Sequence, residues 1–158
     1  MAELEKLHIK LGIGGTYWAK RPQYRVVFND QLILESEIKS DSGSVDYIEF
    51  DCEYVTDRAT LQIQLINKEN SDVVIDDPAK ITDFVIVKDL LLHIKSVEID
   101  GIDLGHLTYS LSEYHVNSPV EYNGEIVRVL KNCTDLGWNG SWQISWENPF
   151  YIWLLENL

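Results

Sequence analysis

The segment from Ile81 to Leu107, ITDFVIVKDLLLHIKSVEIDGIDLGHL, constrains the fold more than any other part of the chain. It is the longest nearly continuous apolar run, rich in Ile and Val and free of Pro. It reads as two strands in close succession. Such strands need cover on both faces, which places them in the middle of a sheet core rather than at an edge. Inside the run the apolar phase changes: Leu90, Leu92 and Ile94 sit on even positions, Val97 and Ile99 on odd ones. One residue of slip sends every later side chain to the opposite face, so a bulge or change of sheet is expected near Lys95–Ser96. Asp100–Gly101 then supplies a turn with positive φ.

The rest of the chain repeats the same logic in shorter pieces. Leu7 to Ile13 alternate strictly, and Tyr24 to Phe28 and Gln31 to Ile38 form a hairpin about Asn29–Asp30. Val45 to Val55 and Ala59 to Asn67 alternate about a turn at Thr56–Arg58. Leu107 to Val116 reads as a strand ended by Pro119, and Asn123–Gly124 turns the chain into a strand over Glu125 to Asn132. In WNGSWQISWENPFYIWLLENL, Trp142, Ile144 and Trp146 share one face at period two, so Ser141 to Glu147 is expected as a strand. Asn148–Pro149 then starts a short helical turn, Asn as cap and Pro at the first position. About ten strands with turns roughly every ten residues predict an all-β fold. The architecture expected is an antiparallel β-sandwich of jelly-roll type with a short C-terminal helical turn, one domain over residues 1–158.

Charge narrows the partners. The chain carries 26 acidic residues against 13 basic ones, a net charge of −13. That field repels phosphate backbones and anionic lipid surfaces, so neither nucleic acid nor membrane is an expected partner. No run reaches the roughly 18 apolar residues of a membrane span. The N-terminus, MAELEKLHIKLGIGG, shows no basic region followed by an apolar stretch, so no secretory signal is read there. Cys52 and Cys133 both lie in or beside strand-like segments. They read as two free thiols, with a bridge as the alternative.

Catalysis finds no support. There is no G-x-S-x-G, neither cysteine has a neighbouring histidine, and His106 and His115 have no metal-motif spacing. The expectation is a protein that is not an enzyme. Calcium is weighed for the loop bearing Asp72, Asp76 and Asp77, because hard cations take carboxylate and carbonyl oxygens. The competing reading of that loop is solvated acidic surface, and no cofactor is required. The aromatics offer a ligand site, since sugar C–H faces stack on indole and phenol rings while amides bind hydroxyls. Tyr17 and Trp18 in the loop GGTYWAKRPQ, and Trp138 with Asn139, are the candidates. For Tyr17 and Trp18 the favoured reading is that they cap the end of a core, with the stacking surface as the alternative. Tyr151, Trp153 and Leu154 are candidates for a contact with a neighbouring subunit, which would make the protein an oligomer.

The first hairpins, IKLGIGG…PQYRVVFNDQLILES, resemble the opening of calcium-dependent, xylan-binding carbohydrate-binding β-sandwich modules. Val26 to Asn29, Asp30 and Leu32 to Leu34 occupy the strand–turn–strand pattern. DLLLHIKSVEIDGIDL resembles their later strands, with Asp89, Asp100 and Gly101 in the matching kind of place. The resemblance implies a β-sandwich with a glycan partner and a dependence on calcium, though no set of calcium ligands carries over residue by residue. The whole chain, especially WNGSWQISWENPFYIWLLENL, is similar to small uncharacterised structural proteins of marine tailed phages. That likeness implies a place on a virion, reached by lysis, and without it the protein is expected in the cytoplasm. Two functions follow as expectations. One is a non-catalytic carbohydrate-binding-like module, carried on a phage particle. The other is a virion decoration or assembly subunit whose aromatic C-terminus docks on other virion proteins.

Overall fold

A computed structural model describes residues 3–158. In chain order the strands are β1 (Glu5–Thr16), β2 (Gln23–Phe28), β3 (Gln31–Glu37), β4 (Val45–Tyr54), β5 (Arg58–Leu65), β6 (Val74–Ile75), β7 (Ile86–Lys88), β8 (Leu91–Ile99) and β9 (Ile102–Asp103). Helix α1 (Leu107–Ser110) follows, then β10 (Glu113–Tyr122), β11 (Glu125–Lys131), β12 (Asp135–Leu136), β13 (Gly140–Glu147) and helix α2 (Phe150–Asn157). One sheet has the order β12-β8-β1-β4 with β9 on β8. The other has the order β11-β10-β13-β5-β2-β3, and β6 and β7 pair as a separate arm. Every pairing is antiparallel.

The alternation of the sequence is the cause of this layering. Leu7, Ile9, Leu11 and Ile13 of one sheet and Leu61, Ile63 and Leu65 of the other are all buried in one hydrophobic cluster. Strand period two sends alternate residues to that shared core and the intervening His, Lys, Glu and Gln outward. The layers also touch through aromatics: the Phe28 and Tyr54 rings meet at 5.5 Å, tilted by 58°, and the Trp146 indole N–H donates to the Tyr54 hydroxyl at 2.9 Å. The protein is thus the expected antiparallel β-sandwich of jelly-roll type, with extra strands of two or three residues.

The phase change in the central run is a bulge. On β1, Gly12 pairs with Ser96 and Ile13 with Ile94, so Lys95 is the unpaired extra residue. The turns at Asn29–Asp30, Asp100–Gly101 and Asn123–Gly124 all have positive φ at both residues, which suits the right-handed twist of the hairpins they close.

Four expectations are corrected. The first half of the central run, through Ile81, Val85, Ile86 and Val87, is not interior: it lies on the β6–β7 arm and is 50–90% exposed. A short apolar run has no period by which a covered strand can be told from an exposed arm. Leu107 begins a helical turn, not a strand, because Leu107 and Leu111 both reach the core at helical spacing. Pro119 does not end β10; it lies within the irregular stretch between His115 and Val120 where pairing with β11 shifts. Pro149, not Asn148, is the N-cap of α2, and the Glu5 carboxylate accepts from the Phe150 N–H at 2.9 Å. Cys52 and Cys133 are both free thiols.

Helix α2 packs on its own sandwich. Phe150 and Leu154 are buried, and the Trp153 ring lies 6.5 Å from Trp146 and 6.0 Å from Phe150. Leu154 and Trp153 therefore serve intramolecular docking, while Tyr151 stays half exposed with its hydroxyl bonded to Asp100. Leu154→Ala should lower the unfolding free energy by about 2–5 kcal/mol in urea titrations, with the mass from light scattering unchanged. Leu155→Ala, at an exposed position, should stay within about 0.5 kcal/mol of wild type.

Candidate functional site

A cleft of about 910 Å³ opens between the segment after β5, the β6–β7 arm, the distal half of β10–β11 and the loop joining β12 to β13. Trp138, Tyr122, Tyr109 and Phe84 line it, each at least a third exposed. Among its polar lining groups are the amides of Asn70, Asn117 and Asn132 and the ion pair of Lys68 with Asp89. Exposed rings beside amides give both an apolar face and hydrogen-bonding edges.

The Trp138 ring is presented by groups that fix its backbone. The phenol of Tyr114, fully buried on β10, donates to the Trp138 carbonyl and accepts from the Trp138 N–H. Burial pushes the Tyr114 phenol well above its ordinary pKa, so it stays protonated as that donor. Next along the chain, the Asn139 side chain pairs with the backbone of Lys68 in both directions. Its Oδ1 accepts from Lys68 N–H at 2.8 Å and its Nδ2 donates to Lys68 C=O at 2.9 Å. Asn139 thus behaves as a short piece of strand, and its amide is spent on position rather than on a ligand. Gly140 completes the bend, because a Cβ there would collide with the His115 carbonyl. Lys68, whose backbone this clamp holds, lines the same cleft as Trp138, and its ammonium meets Asp89 at 2.6 Å with both side chains largely buried.

Asp135 anchors the start of the same loop. His93 bonds Asp135 at 2.6 Å through Nδ1 and Thr16 at 2.7 Å through Nε2, a row that ties β12 across β8 to β1.

Tyr17 and Trp18 lie on the other side of the same segment. They line a shallower hollow of about 390 Å³ that shares Ile86, Asp89 and Leu91 with the main cleft. Tyr17 caps the sandwich end: its hydroxyl donates to Ser40 C=O at 2.9 Å, and the Arg21 guanidinium stacks on its ring at 5.2 Å. Trp18 donates its indole N–H to Asp72 C=O at 2.9 Å, and the Lys88 ammonium stands 4.7 Å from its ring centre. One of its faces is already occupied, which leaves Trp138 as the better-presented indole.

The acids of the loop do not converge. Asp72 is buried, accepts from Glu69 N–H at 2.7 Å and pairs with Lys20 at 3.0 Å. Asp76 accepts from the N–H groups of Val85 and Asp77 and pairs with Lys80 at 3.1 Å. The Val85 N–H, ahead of Lys80, holds the Asp76 carboxyl below the usual range. Asp77 accepts from Ala79 N–H, which closes a local turn. No group of three or more His, Cys, Asp or Glu that could hold a metal occurs among the described residues. Tyr114, Lys68, Tyr109, Tyr122 and Phe84 were not singled out by sequence reasoning, and Asp89 was named only for its place in a strand likeness. Of these, only Tyr109 and Tyr122 carried a signal, as aromatics next to turn segments.

No protein-family model and no curated protein matches the chain. Two solved structures share its fold. The carbohydrate-binding module vCBM60 in complex with galactobiose has a TM-score of 0.50 at 9% identity, over 87% of this chain and 95% of that one. A selenomethionine form of vCBM60 has a TM-score of 0.50 at 9% identity over 87% of this chain and 89% of that one; it is described with a circular permutation linking two families of calcium-dependent carbohydrate-binding modules. At this identity the likeness is one of fold. Asp72, Asp76 and Asp77 do not form a calcium cage of six to eight converging oxygens, since each is held by separate local donors.

Two measurements check this geometry. Asn139→Ala strips partners from two backbone groups of Lys68 and should cost about 1–3 kcal/mol of stability. His8, on the outward face of β1, bonds Asp51 at 2.7 Å and Glu49 at 3.3 Å, and these bonds raise its pKa above 6.5. A raised pKa stabilises the fold fully below the unfolded value and loses that effect as pH rises through the folded value. The melting-temperature gap between wild type and His8→Gln should therefore be wider at about pH 6 than at alkaline pH, closing as pH rises through the raised pKa.

Proposed function

We propose that the protein is a non-catalytic carbohydrate-binding module whose ligand lies in the Trp138 cleft. The observation that carries this reading is the cleft's composition: Trp138, Tyr122, Tyr109 and Phe84 expose ring surface beside the amides of Asn70, Asn117 and Asn132. A sugar ring lays its C–H face on Trp138, and its hydroxyls exchange hydrogen bonds with the amides. The fold shared with vCBM60, bound to galactobiose in one of the two structures, supports the same reading. Glycan-array binding tests it. Trp138→Ala should weaken the strongest signal about tenfold or more, as expected for an aromatic anchor, while leaving the melting temperature within a few degrees. Binding to no glycan, or binding indifferent to Trp138→Ala and Tyr122→Ala together, overturns it.

A second reading, a structural subunit on a virion or in another assembly, is favoured by exposed apolar side chains. Ile81, Val85, Ile86 and Val87 on the arm and Ile152 and Leu155 on α2 are all more than half exposed or close to it. Its signature is a mass above the monomer in solution that falls when Ile86 and Val87 are changed to Ser.

A further inference from the structure

Resting on the reading of the Trp138 cleft as a sugar site, we infer that ligand binding there needs no divalent cation. The ammonium groups of Lys20, Lys68 and Lys80 stand against the carboxylates that would otherwise recruit one. Three ion pairs carry this. Lys20 holds Asp72 at 3.0 Å, and the Asp72 side chain is 6% exposed and also bonded by Glu69 N–H. Lys68 holds Asp89 at 2.6 Å in the wall of the cleft, where the same Asp89 oxygen also accepts from Leu90 N–H. Lys80 holds Asp76 at 3.1 Å, and the other Asp76 oxygen accepts two backbone N–H groups.

A hard cation gains from six to eight oxygens converging on one point. Here each carboxylate is neutralised locally by its own lysine, in a different place, and calcium would have to displace an ammonium to enter. The Lys68–Asp89 pair has a further use. An ammonium has three donor hydrogens, and Asp89 takes one, so the others remain for oxygens of a ligand against Trp138. Asn139 fixes the Lys68 backbone and Asp89 holds its ammonium in the wall of the same cleft, without a metal ion. The pair thus offers a ligand hydroxyl both a charged donor and a charged acceptor.

Calorimetric titration of calcium into the wild-type protein, together with melting in millimolar calcium and in chelator, tests the inference directly. No saturable heat and no change in melting temperature are expected. Glycan-array signals should agree within about twofold in calcium and in chelator, a difference below about 0.4 kcal/mol. Lys68→Met should lower those signals about tenfold or more, and Lys68→Arg, which keeps the charge, should retain most of them. Saturable calcium binding that raises the melting temperature overturns the inference, because only a site in the folded state stabilises by mass action. Loss of the glycan signal in chelator overturns it too. If no glycan binds in either buffer, the sugar reading falls, and the calcium titration of the wild-type protein still decides the question of the cation. Should Lys68→Met fail to fold, the wild-type titration and Lys68→Arg keep the inference open to refutation.

Discussion

The structure depends on the inward face of β13. Trp142, Ile144 and Trp146 fill the space between the two sheets from a strand that is paired on both sides, with β10 and with β5. Large rings are economical fillers of an inter-sheet layer, but each indole brings an N–H that must find an acceptor when buried. Both do. Trp142 donates to Cys133 C=O at 2.8 Å, and Trp146 donates to the Tyr54 hydroxyl at 2.9 Å. The first bond pins the loop before β12, and the second pins the opposite sheet. The same side chains that fill the core thus also set where the loops at its rim lie.

The candidate site inherits its rigidity from that arrangement. Trp138 and Asn139 lead directly into β13, and Tyr114, whose phenol clamps Trp138, pairs across from Trp142 on β10. A ring presented this way has lost its backbone freedom before any ligand arrives, which lowers the ordering cost of binding. The β6–β7 arm forms the other wall and has a different character. It is a two-stranded ribbon with little buried apolar surface, the kind of element expected at the low-stability end of a fold. The cleft is therefore built from one stiff wall and one weakly supported wall.

The layers were legible in the sequence because they rest on a period of two: Leu7 to Ile13, Leu61 to Leu65 and Trp142 to Trp146 alternate, and all face inward. The bulge at Lys95 was legible for the same reason, as a break in that period. What failed were segments where period carries no information. Ile81 to Val87 is apolar at nearly every position, so its burial depends on whether another element covers it, which no local pattern records. Leu107 to Leu111 alternates by type and yet is helical. Of the site, Trp138 was legible as a large ring between Gly137 and Asn139. The role of Asn139 was not, because its partner Lys68 is 71 positions away and the bond is to backbone, which any residue type supplies. The pairing of Lys68 with Asp89 was equally silent, since one ion pair among 39 charged residues leaves no trace in spacing.

The acidic composition takes on a different meaning once the partners are known. A net charge of −13 suggests carboxylates in search of cations, and it made the loop around Asp72 to Asp77 a calcium candidate. In the folded chain those carboxylates act as acceptors for the backbone: Asp72 for Glu69, Asp76 for Val85 and Asp77 for Ala79. Loops and a weakly supported arm have N–H groups that no sheet ladder satisfies, and a short carboxylate side chain is an effective local acceptor for them. Lys20 and Lys68 then offset the charge where it is most shielded from water, at Asp72 and Asp89, and Lys80 pairs with Asp76 at the exposed arm. The excess that remains lies on outward strand positions such as Glu49, Asp51 and Glu53, where solvent screens it. Composition alone cannot separate acids that organise a backbone from acids that await a metal. The separation is made by the donors already facing each oxygen, and here those donors are N–H groups and ammoniums.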